Sequence, residues 1–329
     1  MSKQIVIADS TQIAAFLQCE RLWNYEHRQR LVPLEAGTSD AISMGSYGHK
    51  LLEIYYNSII DGKGAEHGIN AARAFDIDNF ICTCSHSIDY HRELISPTSI
   101  PQECECNAQS CNCELFEPVR FPLDAVDRQT VLNRFEEYCY IQAARSNIIH
   151  PAHTEVGFSE LLYEDADRMY ILEGRIDLIG TYGSNGNEQQ VIVDHKFQLK
   201  EKRLYKKMIQ FRNYAMVAKA NLMLLNMIRL AKGVTPRTFE TIPISFTDVE
   251  HQWWRRELIS IYDRMAEILP SQFMDVEERE PLPNWSSCSG MYGYECNYTR
   301  LCEPTEQEPT LLEAKKQALY KIKPVWSPW

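Results

Sequence analysis

The chain has 329 residues, 44% hydrophobic and 24% charged, a globular composition that allows one large domain or two small ones. It lacks the roughly twenty-residue apolar run of a membrane-spanning helix, and the apolar part of "MSKQIVIADSTQ" is too short for a signal peptide, so a cytoplasmic protein is expected. A formal net charge of −11 argues against a general nucleic-acid binder and leaves only local basic stripes as candidates, while 11 cysteines without an export signal argue for metal or cluster ligation over a disulfide framework.

In chain order, "DSTQIAAFLQCERLWNYEHRQRL" reads as a helix capped by Asp9 or Ser10, with Ile13, Phe16 and Leu17 at helical spacing and Cys19 inside it. "ISMGSYGHKLLEIYYNSII" is a second helical pattern, where Gly45 and Gly48 would admit another backbone beside His49. Residues 62–120 lose apolar periodicity and read as a Cys-rich insertion in the domain. They carry three C-x-C pairs, Cys82 and Cys84, Cys104 and Cys106, Cys111 and Cys113, with His86 and His91 nearby. A second metal site, zinc by preference, and a loop with incidental cysteines are nearly equal readings, because C-x-C is not the commonest zinc spacing. "DAVDRQTVLNRFEEYCYIQAAR" resumes helix, with Cys139 as a core or helix-face residue.

The centre is β. "HTEVGFSELLY" and "MYILEGRIDLIGTY" read as strands, "GSNGNEQQ" as a turn and "VIVDHKF" as the next strand. "LYKKMIQFRNYAMVAKAN" is helical, "LMLLNMIRLA" and "FETIPISF" are further strands, and "DVEHQWWRRELISIYDRMAEIL" is an amphipathic helix in which Trp253 and Trp254 are core residues or base-stacking ones. "KIKPVWSPW" is a docked or mobile terminus. Strands set among helices make the fold α/β, expected as a single domain over 1–329.

Side chains two apart on a strand share a face, so Asp194 and Lys196 do. If "GRIDLIG" pairs with "VIVDHKF" through the glycine-rich turn, Asp177 comes beside Asp194. Adjacent carboxylates raise each other's pKa, and a divalent cation removes that penalty. Mg²⁺ takes one or two carboxylates, waters and a substrate phosphate, and lowers the pKa of a bound water. Lys196 could orient that water or neutralise developing charge. For either aspartate alone, a solvated ion-pair network is the plainer reading. The run "KEKRLYKK" follows, and its Lys200, Lys202, Arg203, Lys206 and Lys207 suit phosphate contacts or a solvated helix start.

"GRIDLIG…VIVDHK" resembles the core motif of the PD-(D/E)XK nuclease superfamily in its RecB-like branch. "QFRNY" is similar to the branch's Q-x-x-x-Y motif, "GSYGHKLLEIYY" to its early histidine helix and "HTEVGF" to its strand with an acidic residue, all in the family's order. The resemblance implies a restriction-endonuclease-like core, a central mixed β-sheet flanked by helices. It also implies that His49, Asp177, Asp194 and the backbone carbonyl of His195 bind Mg²⁺ or Mn²⁺, that Lys196 is the catalytic lysine, that Gln210 and Tyr214 contact substrate or lysine, and that Glu155 supports them. One residue departs: the family often has Thr or Ser after the lysine, where this chain has Phe197.

"PNWSSCSGMYGYECNYTRLC" holds Cys288, Cys296 and Cys302 in a polar segment, 284–303. Four thiolates suit either Zn²⁺ or an iron–sulfur cluster. Branch members of the CRISPR-associated and AddB types hold a [4Fe–4S] cluster with one N-terminal and three C-terminal cysteines. That resemblance favours the cluster and makes Cys19, in "FLQCERLWNYEH", the fourth ligand joining the two ends of the chain. The implied activity is a metal-dependent deoxyribonuclease, an exonuclease on single-stranded DNA or DNA ends. Its role would lie in phage-type recombination, replication or repair, or in CRISPR adaptation. No G-x-x-x-x-G-K-[ST] motif is present, so unwinding would need a helicase, recombination or CRISPR partner. The alternative is a DNA-binding iron–sulfur assembly subunit that keeps the fold without cutting.

Overall fold

The computed structural model describes residues 3–34, 40–78, 123, 125–144, 148–183, 188–198, 208–230, 238–269, 280–288, 296–302 and 309–323. Its main sheet has six strands: β1 (Gln4–Ala8), β3 (Ile148–Glu164), β4 (Arg168–Gly183), β5 (Gln189–Gln198), β6 (Leu222–Arg229) and β7 (Phe239–Ser245). β1 and β4 pair in parallel, as do β5 and β6, while β3–β4, β4–β5 and β6–β7 are antiparallel, so the sheet is mixed. A small second sheet pairs β2 (Leu31–Pro33) with β8 (Tyr320–Ile322). "QIVIA" is a strand, and the terminal segment is docked as far as Ile322.

β4 is the trunk of the sheet. β3 pairs with one edge along nearly its whole length. The other edge is shared: β1 takes Arg168–Leu172 and β5 takes Leu178–Tyr182. The two ladders leave a fork between them, and Asp177 lies at its β5 side.

Helices cover both faces. α1 (Ser10–Gln18), α6 (Ile209–Val217) and α7 (Asp248–Ile268) pack with Tyr170, Leu172, Ile176 and Ile192 in one core. α3 (Asp40–Ile60), α4 (Ala65–Asp78) and α5 (Ala125–Ala143) pack with Leu178, Val191, Val193 and Phe197 in a second. β6 feeds alternate side chains to the two cores, which is why "LMLLNMI" is apolar at every position but Asn226.

Asp9, not Ser10, caps α1: its carboxylate accepts from the amides of Thr11 and Gln12 at 2.7 and 2.8 Å. The first helix is not continuous. Cys19 is extended, at φ −166° and ψ 124°, and ends α1 before the short α2 (Glu20–Trp23) and a π-helical turn over Asn24–Arg28. Ala65–Asp78, at the start of the stretch read as an insertion, is helical and buries Ile69 and Ala72 against α3. Ala65, Ile69, Ala72 and Phe75 carry its helical spacing toward that core, a pattern overlooked when 62–120 is read as one stretch. The insertion's six cysteines, His86 and His91 lie outside the described residues, as do Lys200, Lys202, Arg203, Lys206 and Lys207.

Candidate active site and cysteine pocket

The antiparallel register that pairs Leu178 with Val193 puts Asp177 and Asp194 opposite one another, one step past the ladder's last pair. One ladder earlier, Glu155 on β3 stands opposite Asp177 in the register set by Thr154–Leu178 and Val156–Ile176. Glu155 has a left-handed backbone, φ 48°, a conformation that costs a non-glycine residue about 1 kcal/mol or more. β4 also changes its buried side here: Ile176 joins one core and Leu178 the other. The strands are irregular where the carboxylates gather.

His49 on α3 completes the group. Its Nδ1 is 3.3 Å from Asp177 Oδ2, and one ligand atom each from His49, Glu155 and Asp177 lie within 4.8 Å of one another. The backbone N–H of His195 donates to Asp177 Oδ2 at 3.0 Å. Lys196 donates to Asp194 Oδ1 at 3.0 Å and lies 2.8 Å from Oδ2. That second oxygen is buried without an aligned hydrogen bond, as expected of an atom kept for a cation. From α6, Gln210 donates to Asp194 Oδ1 at 3.3 Å and to the Tyr214 hydroxyl at 2.9 Å, with its Oε1 3.5 Å from the Lys196 ammonium.

The charges differ by environment. Burial raises the Asp194 carboxyl to about 6, with Lys196 pulling down and Asp177 pushing up. Burial and then Asp177 raise Glu155 to about 7 against the pull of Arg175, which is 2.8 Å away. Burial would raise Asp177 too, but His49, Lys196 and the His195 amide outweigh it and hold Asp177 below the ordinary range. Burial works against the Lys196 ammonium, yet the two aspartates hold its pKa above the usual value. The site thus has one firm anion, one firm cation and two carboxyls, of Asp194 and Glu155, that hold their protons to a higher pH than an exposed carboxyl does.

Tyr56, Tyr138 and Asn226 were not singled out from the sequence. The His195 ring points away from the carboxylates into a pocket of Tyr56, Tyr138 and Asn226, and burial lowers its pKa to about 3, so it is neutral. The sequence signal was weak: Tyr56 follows His49 by two helical turns. Phe197 is buried against Gly48, where an added Cβ would meet its ring at 2.5 Å. Gly48 therefore admits a side chain rather than a backbone, and Gly45 faces open space. Trp254 is buried and donates to Asn213 at 2.7 Å, while Trp253 is exposed.

The four cysteines of the terminal segments meet. Cys19, Cys288, Cys296 and Cys302 line one pocket with Leu22, Pro283 and Asn284. The Asn284 amide donates to Cys19 Sγ at 3.3 Å, and Arg21 donates to the carbonyls of Pro281 and Cys302 at 3.1 and 3.3 Å. Burial raises the thiol pKa of Cys288 and Cys296, and that of Cys302 to about 11. Cys139 lies apart, buried in the α3–α5 core.

The model of the PD-(D/E)XK nuclease superfamily matches residues 10–303. No curated protein matches. One similar solved structure is that of SSO0001, 15% identical over 43% of this chain, with a TM-score of 0.27; the chain spans 61% of that protein's length. Another, from Eubacterium rectale, is described as a candidate exonuclease. It is 12% identical over 90% of this chain and 87% of its own, with a TM-score of 0.42. Likeness at that level carries no argument about function. The family match covers most of the chain, including α3, β3, β4, β5 and α6, which bring the site together, and the mixed sheet flanked by helices is the restriction-endonuclease-like architecture. The chain belongs to the PD-(D/E)XK nuclease superfamily.

Proposed function

We propose that this nuclease is a metal-dependent deoxyribonuclease of the RecB-like kind, acting as an exonuclease on single-stranded DNA or DNA ends. The observation that carries the reading is the convergence of His49, Glu155 and Asp177 at the fork of β4, beside the Asp194–Lys196 pair. His49, Asp177, Asp194 and the His195 carbonyl would hold Mg²⁺ or Mn²⁺, with Glu155 close enough to join them. Such a cation activates water and stabilises charge on a phosphodiester. Lys196 keeps its proton and offers Nζ to the charge that develops on phosphate. Gln210 holds Asp194 and Lys196 in place, and Tyr214 holds Gln210. Glu155, raised to about 7, is partly protonated near neutral pH, and added positive charge would displace that proton.

The cysteine pocket supports a [4Fe–4S] cluster on Cys19, Cys288, Cys296 and Cys302, since all four line one cavity between the chain's two ends. Its work there is structural: joining Cys19 to Cys302 closes a loop of nearly the whole chain. The basic run from Lys200 to Lys207 would contact backbone phosphates, and Trp253 would be free to stack a base. The biological setting would be phage-type recombination, replication or repair, or CRISPR adaptation, with a partner supplying any unwinding.

The test incubates labelled single- and double-stranded DNA with Mg²⁺ or Mn²⁺ and wild-type, Asp194→Ala or Lys196→Ala protein. Wild type should shorten DNA from an end, and both variants should fail. Undiminished cleavage by both variants sinks the assignment. Wild type that binds DNA and never cuts supports the non-cleaving assembly subunit instead. Iron and inorganic sulfide in equal amounts in anaerobically purified protein would support the cluster, and stoichiometric zinc alone would overturn it.

A further inference from the structure

The His195 side chain lies between Asp194 and Lys196 in sequence but on the other side of β5. It is 1% exposed. Its Nε2 is 3.2 Å from the Tyr138 hydroxyl and 3.4 Å from the Tyr56 hydroxyl, and those hydroxyls are 3.0 Å apart. Asn226 donates to the Tyr138 hydroxyl at 2.7 Å, and Thr241 donates to Asn226 Oδ1 at 2.8 Å. The network joins five elements: α3, α5, β5, β6 and β7.

Two of those connections bear on the metal site. Tyr56 follows His49 on α3 by seven residues, so the two lie on nearly the same helix face. On β5 the side chains alternate. Asp194 and Lys196 face Gln210 of α6, while His195 and Phe197 grip α3, at Tyr56 and Gly48. An apolar residue would fill position 195 at lower desolvation cost. A hydrogen-bonded ring does what an apolar one does not: it accepts only one register of its partners.

Building on the nuclease reading, we infer that His195, through Tyr56 and Tyr138, is a positioning residue that registers the helix carrying His49 against the strand carrying Asp194 and Lys196. Its peptide N–H meets Asp177 on one side while its ring anchors α3 and α5 on the other. The chain thus uses one residue to tie the His49 helix, the Asp177 strand and the Asp194 strand together. The imidazole never touches substrate.

The test compares wild type with Tyr56→Phe, which loses one hydroxyl, and His195→Phe, which loses the ring nitrogens. Tyr262→Phe is the control. Tyr262 is an equally buried tyrosine that donates to the carbonyls of Ala8 and Ile171, far from the metal ligands. Mn²⁺ affinity is read by electron paramagnetic resonance on protein without DNA, alongside the Mn²⁺ dependence of cleavage, the KM for DNA and the melting temperature. Loss of an outer-shell partner typically weakens metal binding 10–100-fold. His195→Phe should raise the Mn²⁺ midpoint about tenfold, and Tyr56→Phe about threefold, with KM for DNA unchanged. Tyr262→Phe should lower the melting temperature and leave the Mn²⁺ midpoint alone. If His195→Phe does not fold, Tyr56→Phe carries the test. An unmoved midpoint in Tyr56→Phe, or an equal shift in Tyr262→Phe, overturns the inference while wild-type cleavage leaves the nuclease reading standing. Wild type that binds no Mn²⁺ overturns both.

Discussion

At the fork of β4, the candidate ligands sit on elements that would exist without any ligand. Asp177 and Asp194 are on strands of 16 and 10 residues, Glu155 on one of 17, and His49 on a helix of 21. At the cysteine pocket the support is slight. Cys19 is a break between two helices, Cys288 follows a 3₁₀ turn of three residues, and Cys302 ends a helix of four. On the proposed reading, the first site is a preformed frame for a cation, and the second a set of cysteines whose spacing would depend on what they bind, beyond the cluster of Tyr25, Leu31, Tyr298, Leu301, Cys302 and Tyr320 beside it. The contrast predicts that damage at the fork removes chemistry and spares the fold, whereas damage at the pocket removes the fold's closure and reaches chemistry only through it.

Asp194→Asn is the largest expected break. It should cut DNA cleavage about a thousandfold, because the cation and Lys196 lose their shared carboxylate. The urea midpoint of the metal-free protein should move little, since Asn keeps an oxygen that can accept from Lys196, Asp177 still offsets its charge, and the site no longer buries a carboxylate that it holds only with difficulty. Cys302→Ser should show the reverse: a stability loss of at least about 3 kcal/mol in anaerobically prepared protein, with cleavage per folded molecule retained. A Cys302→Ser protein as stable as wild type would erase the distinction between the two sites.

Gly48→Ala tests how rigid the frame is. The new Cβ would stand 2.5 Å from the ring of Phe197, which is 7% exposed and has little room to turn. Overpacking of this kind costs about 1–3 kcal/mol, and it pushes on the helix one residue from His49. Lower thermal stability together with weaker Mn²⁺ binding is expected. Phe197→Ser, which removes the ring, should relieve the clash in the double variant.

That pairing also shows what the sequence could and could not reveal. Asp177, Asp194 and Lys196 were legible because strand alternation and one turn fix their geometry locally. The strand "LMLLNMI" was legible because both its faces are buried. Phe197 looked like a mismatch because its compensation, Gly48, lies 149 positions away. The Tyr56–Tyr138–His195–Asn226 network was invisible for the same reason: each member is an ordinary residue in its own window. α4 was missed because its core-facing residues, Ala65, Ile69, Ala72 and Phe75, are half of them small alanines, a weak signal beside the Cys-rich stretch that follows. The break at Cys19 is a backbone event with no glycine or proline to announce it.

A change of pH also separates the two sites. A cation at the fork needs Asp194 and Glu155 ionised. Their carboxyls are raised to about 6 and about 7, chiefly by burial, so both hold protons in the metal-free protein as the pH falls. The folded, metal-free state is favoured by those protons. Metal binding must expel them and therefore weakens below neutrality. Mn²⁺ affinity should be level above about pH 7.5 and fall on the order of a hundredfold by pH 5.5, since each proton displaced costs up to tenfold per pH unit below its pKa. Glu155→Gln should move the start of that fall down by about one unit, to the carboxyl of Asp194. The cysteine pocket runs in the same direction but levels off far later. Burial raises its thiols, Cys302 to about 11, so ligand uptake there displaces protons throughout the physiological range and should strengthen steadily with pH, without a plateau near 7.5. Mn²⁺ titrations and anaerobic metal reconstitution across the same buffers would measure both curves. If the Mn²⁺ curve lacks its plateau, or Glu155→Gln leaves it in place, then Glu155 is not among the groups whose protons the cation displaces.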